Sequence, residues 1–154
     1  MAAGHDIAIA LRAAYLALHR RSDATFSSHG LTADQFVLLA TLERGSALTQ
    51  RELGRRMSSD PSTVRAMLVL LEKRGLVERD DHPTDARART VALTAEGRRV
   101  FRELWTAGEP IRQRMLGVLN PDEADTLVAL LARIAESLNT DGVPASPHSP
   151  EDER

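Results

Sequence analysis

Three clusters of polar and cationic side chains stand within the stretch 48–96, and their spacing sets the chemistry open to them. They are Thr49-Gln50-Arg51-Glu52, then Ser58-Ser59-Asp60-Pro61-Ser62-Thr63-Val64-Arg65, then Asp85-Ala86-Arg87-Ala88-Arg89. Pro61 suits the first position of a helix, where its missing N–H costs nothing, and Asp60 suits the cap before it. At about 100° per residue, Val64, Met67, Leu68 and Leu71 share one face of that helix, and Ser62, Arg65, Ala66, Val69 and Lys73 lie opposite. The outward set has groups suited to base edges and phosphates. Ser62 and Thr63 can bond phosphate or base near a helix N-terminus that itself attracts anions. Arg65 can donate paired hydrogen bonds to guanine O6 and N7, and Ala66 and Val69 can meet thymine methyls. Arg87 sits near the tip of a loop, where it can enter a narrow, electronegative minor groove. Asp85 can hold Arg87 or Arg89 by a charge-assisted bond. Two plainer readings stand beside these: an amphipathic helix with small surface residues, and an ion pair that only stabilises the loop.

The elements that must position these groups are readable from caps and periodicity. A first helix runs from about residue 6 into the twenties, with Ile7, Leu11, Ala14 and Leu18 as one narrow apolar stripe. Thr32 and Gln35 form a capping box for a second helix, which Gly45 ends. A third, short helix follows Thr49, boxed by Glu52, and stops near Met57. Ser58-Ser59-Asp60 is then a tight turn into the fourth helix, which Gly75 closes. Residues 76–79 and 89–93 read as two strands around a loop carrying Asp80, Asp81, Pro83 and Asp85. Thr94 caps a fifth helix with Phe101, Leu104 and Trp105, which Pro110 should kink or interrupt. Asn120-Pro121-Asp122-Glu123 opens the last helix, where Leu127, Leu131, Ile134 and Leu138 share a face. The prolines and charges of 140–154 predict a disordered tail. The expected fold is mainly α with a small β-hairpin wing, a single domain over 1–139 with a winged helix-turn-helix core at about 32–100.

Composition narrows the function classes. The 154 residues carry a net charge of −2, yet 50–102 holds twelve Arg/Lys against eight Asp/Glu and the remainder eight against fourteen. A basic middle between acidic ends suits a protein whose centre meets phosphate. Cysteine is absent, which removes disulfides and thiolate metal sites, and the opening residues lack a secretory pattern. No apolar run is long enough to cross a membrane, and a cytoplasmic location is expected. The five histidines are scattered, and His19 with Asp23 is an i,i+4 helix pair rather than a metal site. No activated serine, glycine-rich phosphate loop or paired carboxylate set marks an enzyme, and no cofactor or metal is expected.

The sequence resembles the multiple antibiotic resistance regulator (MarR) family of bacterial winged-helix transcription factors. The matching text is Leu48-Thr49-Gln50-Arg51-Glu52-Leu53, Asp60-Pro61-Ser62-Thr63-Val64, Leu71-Glu72-Lys73-Arg74-Gly75-Leu76-Val77-Glu78-Arg79, and Asp85-Ala86-Arg87-Ala88-Arg89 leading to Leu93-Thr94-Ala95-Glu96-Gly97. The resemblance implies a homodimer built from the terminal helices, about 6–29 and 95–139, with two winged lobes on an inverted-repeat operator of double-stranded DNA. It also implies that small phenolic or aromatic anions bind between those helices and the lobes and weaken DNA binding. The expected DNA contacts are Thr49, Gln50, Ser59, Pro61, Ser62, Thr63, Arg65, Ala66, Val69, Lys73, Arg87 and Arg89, with Asp85 stabilising the wing. Candidate ligand contacts are Tyr15, His19, Phe26, His29 and Phe36, with Arg102 and Trp105; an apolar cleft with His or Arg suits an aromatic carboxylate. One departure is plain: where the family often has polar residues in mid-helix, this chain reads Ala66-Met67-Leu68-Val69-Leu70-Leu71. The expected function is a ligand-responsive repressor. The alternatives are a winged-helix protein-interaction module, which exposed Val69 and Leu70 would favour, and an activator without a ligand.

Overall fold

Every helix of the lobe begins where a side chain can take up its first free N–H groups. The structure, a computed structural model, describes residues 1–80 and 89–140. Among them the order is α1 (Gly4–Ser27), α2 (Ala33–Gly45), β1 (Leu48–Thr49), α3 (Gln50–Met57), α4 (Pro61–Lys73), β2 (Val77–Asp80), β3 (Thr90–Leu93), α5 (Ala95–Ala107), α6 (Glu109–Leu116) and α7 (Pro121–Thr140). The Thr32–Gln35 box on α2 is reciprocal, at 3.1 and 3.0 Å. Asp60 and Thr94 accept from the third residues of α4 and α5 at 2.9 Å each. On α3 only half of the expected box forms. Thr49 accepts from the Glu52 N–H at 3.1 Å, but the Glu52 carboxylate turns to Arg55 and Arg56. Two guanidiniums outbid one backbone N–H for that carboxylate.

The chain divides into two compact units, 1–112 and 113 onward. The core of the first is aliphatic: Leu38, Leu39 and Leu42 of α2, Leu53, Val64, Leu68, Leu71, Val91 and Leu104 are almost wholly buried. α4 therefore turns Val64, Met67, Leu68 and Leu71 inward, as its periodicity predicts. The sheet is antiparallel in the order β1-β3-β2, pairing Val77 with Leu93, Asp80 with Thr90 and Leu48 with Val91. β1 is a strand the sequence reading lacked, because two residues carry no periodicity of their own and exist as a strand only through β3.

The corner between α4 and β2 locks these layers together. Gly75 has φ +72°, and the N–H groups of Gly75 and Leu76 donate to Glu72 and Leu71, ending α4 in a Schellman turn. The Thr94 hydroxyl donates to the Gly75 carbonyl at 2.5 Å, and the Thr94 N–H to that of Leu76 at 3.1 Å. Gly97 then lies so close that a Cβ there would stand 1.9 Å from the Leu76 oxygen.

The fifth helix is interrupted as expected, so among the described residues seven helices stand where six are read from sequence. The break falls at Gly108, whose carbonyl accepts from Ile111 and Arg112, leaving Pro110 in the first turn of α6, where proline is tolerated. In the second unit, Asn120 and Glu123 cap α7 reciprocally at 2.9 and 3.0 Å. The leucines at 127, 130, 131 and 138 of α7 are exposed, as is Val128.

Candidate nucleic-acid interface and aromatic cleft

The three-residue turn after α3 places α4 across it. Ser58 ends α3 at φ 52°, a left-handed conformation, and the Ser59 N–H donates to the Gly54 carbonyl at 3.0 Å. Pro61 follows as the first residue of α4, so Ser62, Arg65, Ala66, Val69 and Lys73 all project into solvent. Arg65 and Lys73 have no ion-pair partner among the described residues. Thr63 is also exposed, but its hydroxyl donates to Asp60 Oδ2 at 2.6 Å, which commits it first to the cap. That bond and the backbone cap hold the Asp60 carboxyl below the ordinary carboxylate range. Thr49 is half-buried with its oxygen engaged in capping α3. The Gln50 N–H donates to the Arg89 carbonyl at 3.3 Å, which ties α3 to the strand returning from the wing. Asp85 and Arg87 lie outside the described residues.

Gln50, Ser59 and Pro61 come together at a depression of about 350 Å³ between α3 and α4, with Arg51 and Arg55 on its rim. Those two arginines were missed, although i,i+4 spacing on a short capped helix puts them side by side. Arg55 and Arg56 both bond Glu52, at 2.6 and 2.9 Å, and this lowers the Glu52 pKa to about 2. Arg51 is left as the depression's uncompensated cation among the described residues. Behind the interface, Arg79 grips Glu72 through two bonds of 2.8 and 3.2 Å, fastening β2 to α4 and depressing the Glu72 pKa. Arg74 reaches back to the Gly30 carbonyl at 2.6 Å, fastening the same end of α4 to the α1–α2 turn.

Away from the interface, α2 and α5 line an open, mainly apolar cleft of about 570 Å³. Phe36, Phe101 and Trp105 form its aromatic side, and Arg44, Arg102, Thr41 and Glu43 supply its polar groups. Phe26 stacks on Phe36 at 4.5 Å from within the core, and Phe36 on Phe101 at 5.8 Å. The Arg112 guanidinium lies 3.7 Å from the Trp105 ring centroid and donates to the Trp105 carbonyl at 2.6 Å. Of the ligand candidates, Phe36, Arg102 and Trp105 therefore share one cleft and Phe26 backs it. His29 borders a neighbouring depression with Arg102. Tyr15 and His19 instead stack on each other at 5.5 Å along α1, and His19 pairs with Asp23 at 3.1 Å. The sequence reading missed Phe101, one helical turn before Trp105, and Arg44. No group of three or more metal-ligating side chains occurs among the described residues, nor any helix long and apolar enough to span a membrane.

A helix-turn-helix whose second helix is buried on one face and polar-edged on the other, followed by a hairpin, defines a winged-helix DNA-binding protein. Residues 31–88 match the MarR family profile. The repressor MdtR of Bacillus subtilis is 29% identical over 136 residues, 88% of each chain. BpsR of Bordetella bronchiseptica, solved to explain regulation of its DNA binding by 6-hydroxynicotinic acid, is 32% identical with a TM-score of 0.74, over 84% of this chain and 93% of BpsR. A cysteine-to-serine variant of Escherichia coli MarR complexed with operator DNA is 27% identical with a TM-score of 0.67, over 86% and 99%. The chain belongs to the MarR family of transcriptional regulators.

Proposed function

We propose that this regulator is a cytoplasmic homodimeric repressor, without catalytic activity, that holds an inverted-repeat operator through α4 and the wing and releases it when an aromatic acid binds. The observation that carries the DNA reading is the outward face of α4, where Ser62, Arg65, Ala66, Val69 and Lys73 are all exposed, opposite a face that is buried. In this reading Arg65 addresses guanine, Ser62 and Lys73 flank it, and Gln50, Ser59 and the N-terminus of α4 meet phosphate. Pro61 and Thr63 shape that N-terminus and Thr49 caps α3, while Arg87 and Arg89 serve the wing with Asp85 as their anchor. The operator complex of E. coli MarR and the naming of MdtR as a repressor support this reading. Dimerisation is assigned to the exposed apolar residues of the terminal helices, among them Ile7 and Leu18 of α1 and Leu127 and Leu131 of α7.

The effector site is assigned to the α2–α5 cleft, where an aromatic ring can lie against Phe36, Phe101 and Trp105 and a carboxylate can reach Arg102 or Arg44. The action of 6-hydroxynicotinic acid on BpsR supports that class of ligand. Trp105 is the chain's single tryptophan, so its fluorescence reports on the cleft. Titration with 6-hydroxynicotinic acid should change the emission, and Arg102→Ala should weaken that response about tenfold or more, as expected for a lost charge-assisted bond. An unchanged titration in the variant removes Arg102 from the site.

Fluorescence anisotropy on duplex DNA from the gene's own upstream region, beside a shuffled duplex and over a salt series, tests the DNA reading. Selective binding that weakens steeply with salt is expected. Arg87→Ala should weaken binding and make the salt slope shallower by about two, one contact being lost from each subunit. The exposed Val69 and Leu70 favour a second reading, a protein-interaction module, for which Arg87→Ala is silent.

A further inference from the structure

We infer that the middle of α4 reads thymine through its 5-methyl group, with Ala66 and Val69 as the reading residues and Leu70 widening the stripe on one edge. The inference rests on the DNA-binding reading above and specifies what that surface selects. Along the outward midline of α4 the order is Ser62, Ala66, Val69, Lys73, so both ends are polar and the centre is apolar. Val69 is 45% exposed and Leu70 53%, whereas Val64, Leu68 and Leu71 on the opposite face are buried to 1% or less. The core side of the helix is thus already filled, and the outward apolar groups add nothing to it.

A stripe of this kind discriminates among base pairs by what it fails to bond. Guanine, cytosine and adenine present N7, O6, N4 or N6 to the major groove, and an aliphatic side chain set over those atoms strips their water and returns no hydrogen bond. Thymine alone offers an apolar group at that edge. Arg65 stands one helical turn before Val69, about 6 Å along the axis, or about two base-pair steps. A half-site with a guanine for Arg65 and thymine within about two base pairs of it satisfies both side chains.

Deoxyuridine tests this directly, because it differs from thymidine only by the missing methyl. The full-length protein selects its preferred duplexes from a random pool, and each half-site thymine is then replaced by deoxyuridine in turn. At one or more thymines near the centre of the half-site the substitution should weaken binding about fourfold, the value of one buried methyl-sized group. Val69→Ser or Ala66→Ser should bind the thymidine duplex more weakly and lose that penalty, while Arg65→Ala keeps it. Both serine changes fall on exposed positions, so an unchanged far-UV spectrum is expected to accompany them. Tight, salt-sensitive binding with no penalty at any thymine, or a penalty that survives both serine variants, overturns the inference and leaves the DNA reading intact. Failure to select any duplex overturns the DNA reading, and this inference with it.

Discussion

Glu52 sets how much of the positive charge on α3 is available to a ligand. Its carboxylate accepts from Arg55 through two nitrogens, at 2.6 and 2.9 Å, and from Arg56 at 2.9 Å, so one anion restrains two cations beside the α3–α4 depression. Those bonds take its pKa to about 2 from an ordinary value of 4.5. A depressed folded-state pKa contributes stability that is fully present above the unfolded value and is lost as pH falls through the folded one. The contribution of Glu52 is therefore intact above about pH 4.5 and gone near pH 2. Carboxyl carbon chemical shifts should place its midpoint near 2, and a midpoint near 4.5 would mean that the fork does not persist in solution. Glu52→Gln should free Arg55 and Arg56 for phosphate. The expected result is tighter binding to shuffled DNA and a salt slope steeper by about two to four, since each added phosphate contact contributes about 0.9 and the dimer carries two copies of each arginine. Specificity should fall in parallel, because phosphate contacts carry no sequence information.

Elements fix these side chains through one crowded corner, where α5 begins against the end of α4. The Gly97 backbone lies against the Leu76 carbonyl, and Thr94 bonds Gly75. Gly97→Ala should destabilise the fold by about 1–3 kcal/mol or more, the usual scale of overpacking, with a lower urea midpoint and an unchanged slope. Gly4→Ala, where the new methyl meets nothing within 4 Å, is the matched control and should not lower the midpoint. Little of this corner was legible beforehand. Caps are local, so Thr32, Asp60, Thr94 and Asn120 announced their helices, and the period of α4 separated its buried and outward faces. The Arg74 bond to Gly30 spans 44 residues of sequence and the Gly97 approach is set by three elements meeting, so neither leaves a periodic trace. The aromatic cleft lies between: Phe36, Arg102 and Trp105 were named from residue type. Phe101 and Arg44 needed the packing of α2 on α5 to place them.

At the scale of the whole molecule, apolar side chains exposed on the terminal helices argue for a dimer. On α1, Ile7 and Leu18 are exposed on one face, and on α7 the leucines at 127, 130, 131 and 138 are exposed. An isolated apolar side chain on a surface needs no explanation, but a repeated face along one helix does. Leu131 lies near the middle of α7, and its replacement by glutamate costs a local fold little because the position is already exposed. In a dimer the same change sets two charges against an apolar seam, so Leu131→Glu should convert the protein to a monomer in sedimentation while its far-UV spectrum stays helical. The DNA consequence follows from valency rather than from any lost contact. Two linked lobes on half-sites about 34–36 Å apart bind the second site at high effective concentration, and one lobe alone forgoes that gain. The monomer should therefore lose about 100-fold or more in operator affinity, while Trp105 keeps its response to 6-hydroxynicotinic acid if one subunit supplies the cleft. Loss of the Trp105 response together with the dimer would instead assign part of the effector site to the partner subunit.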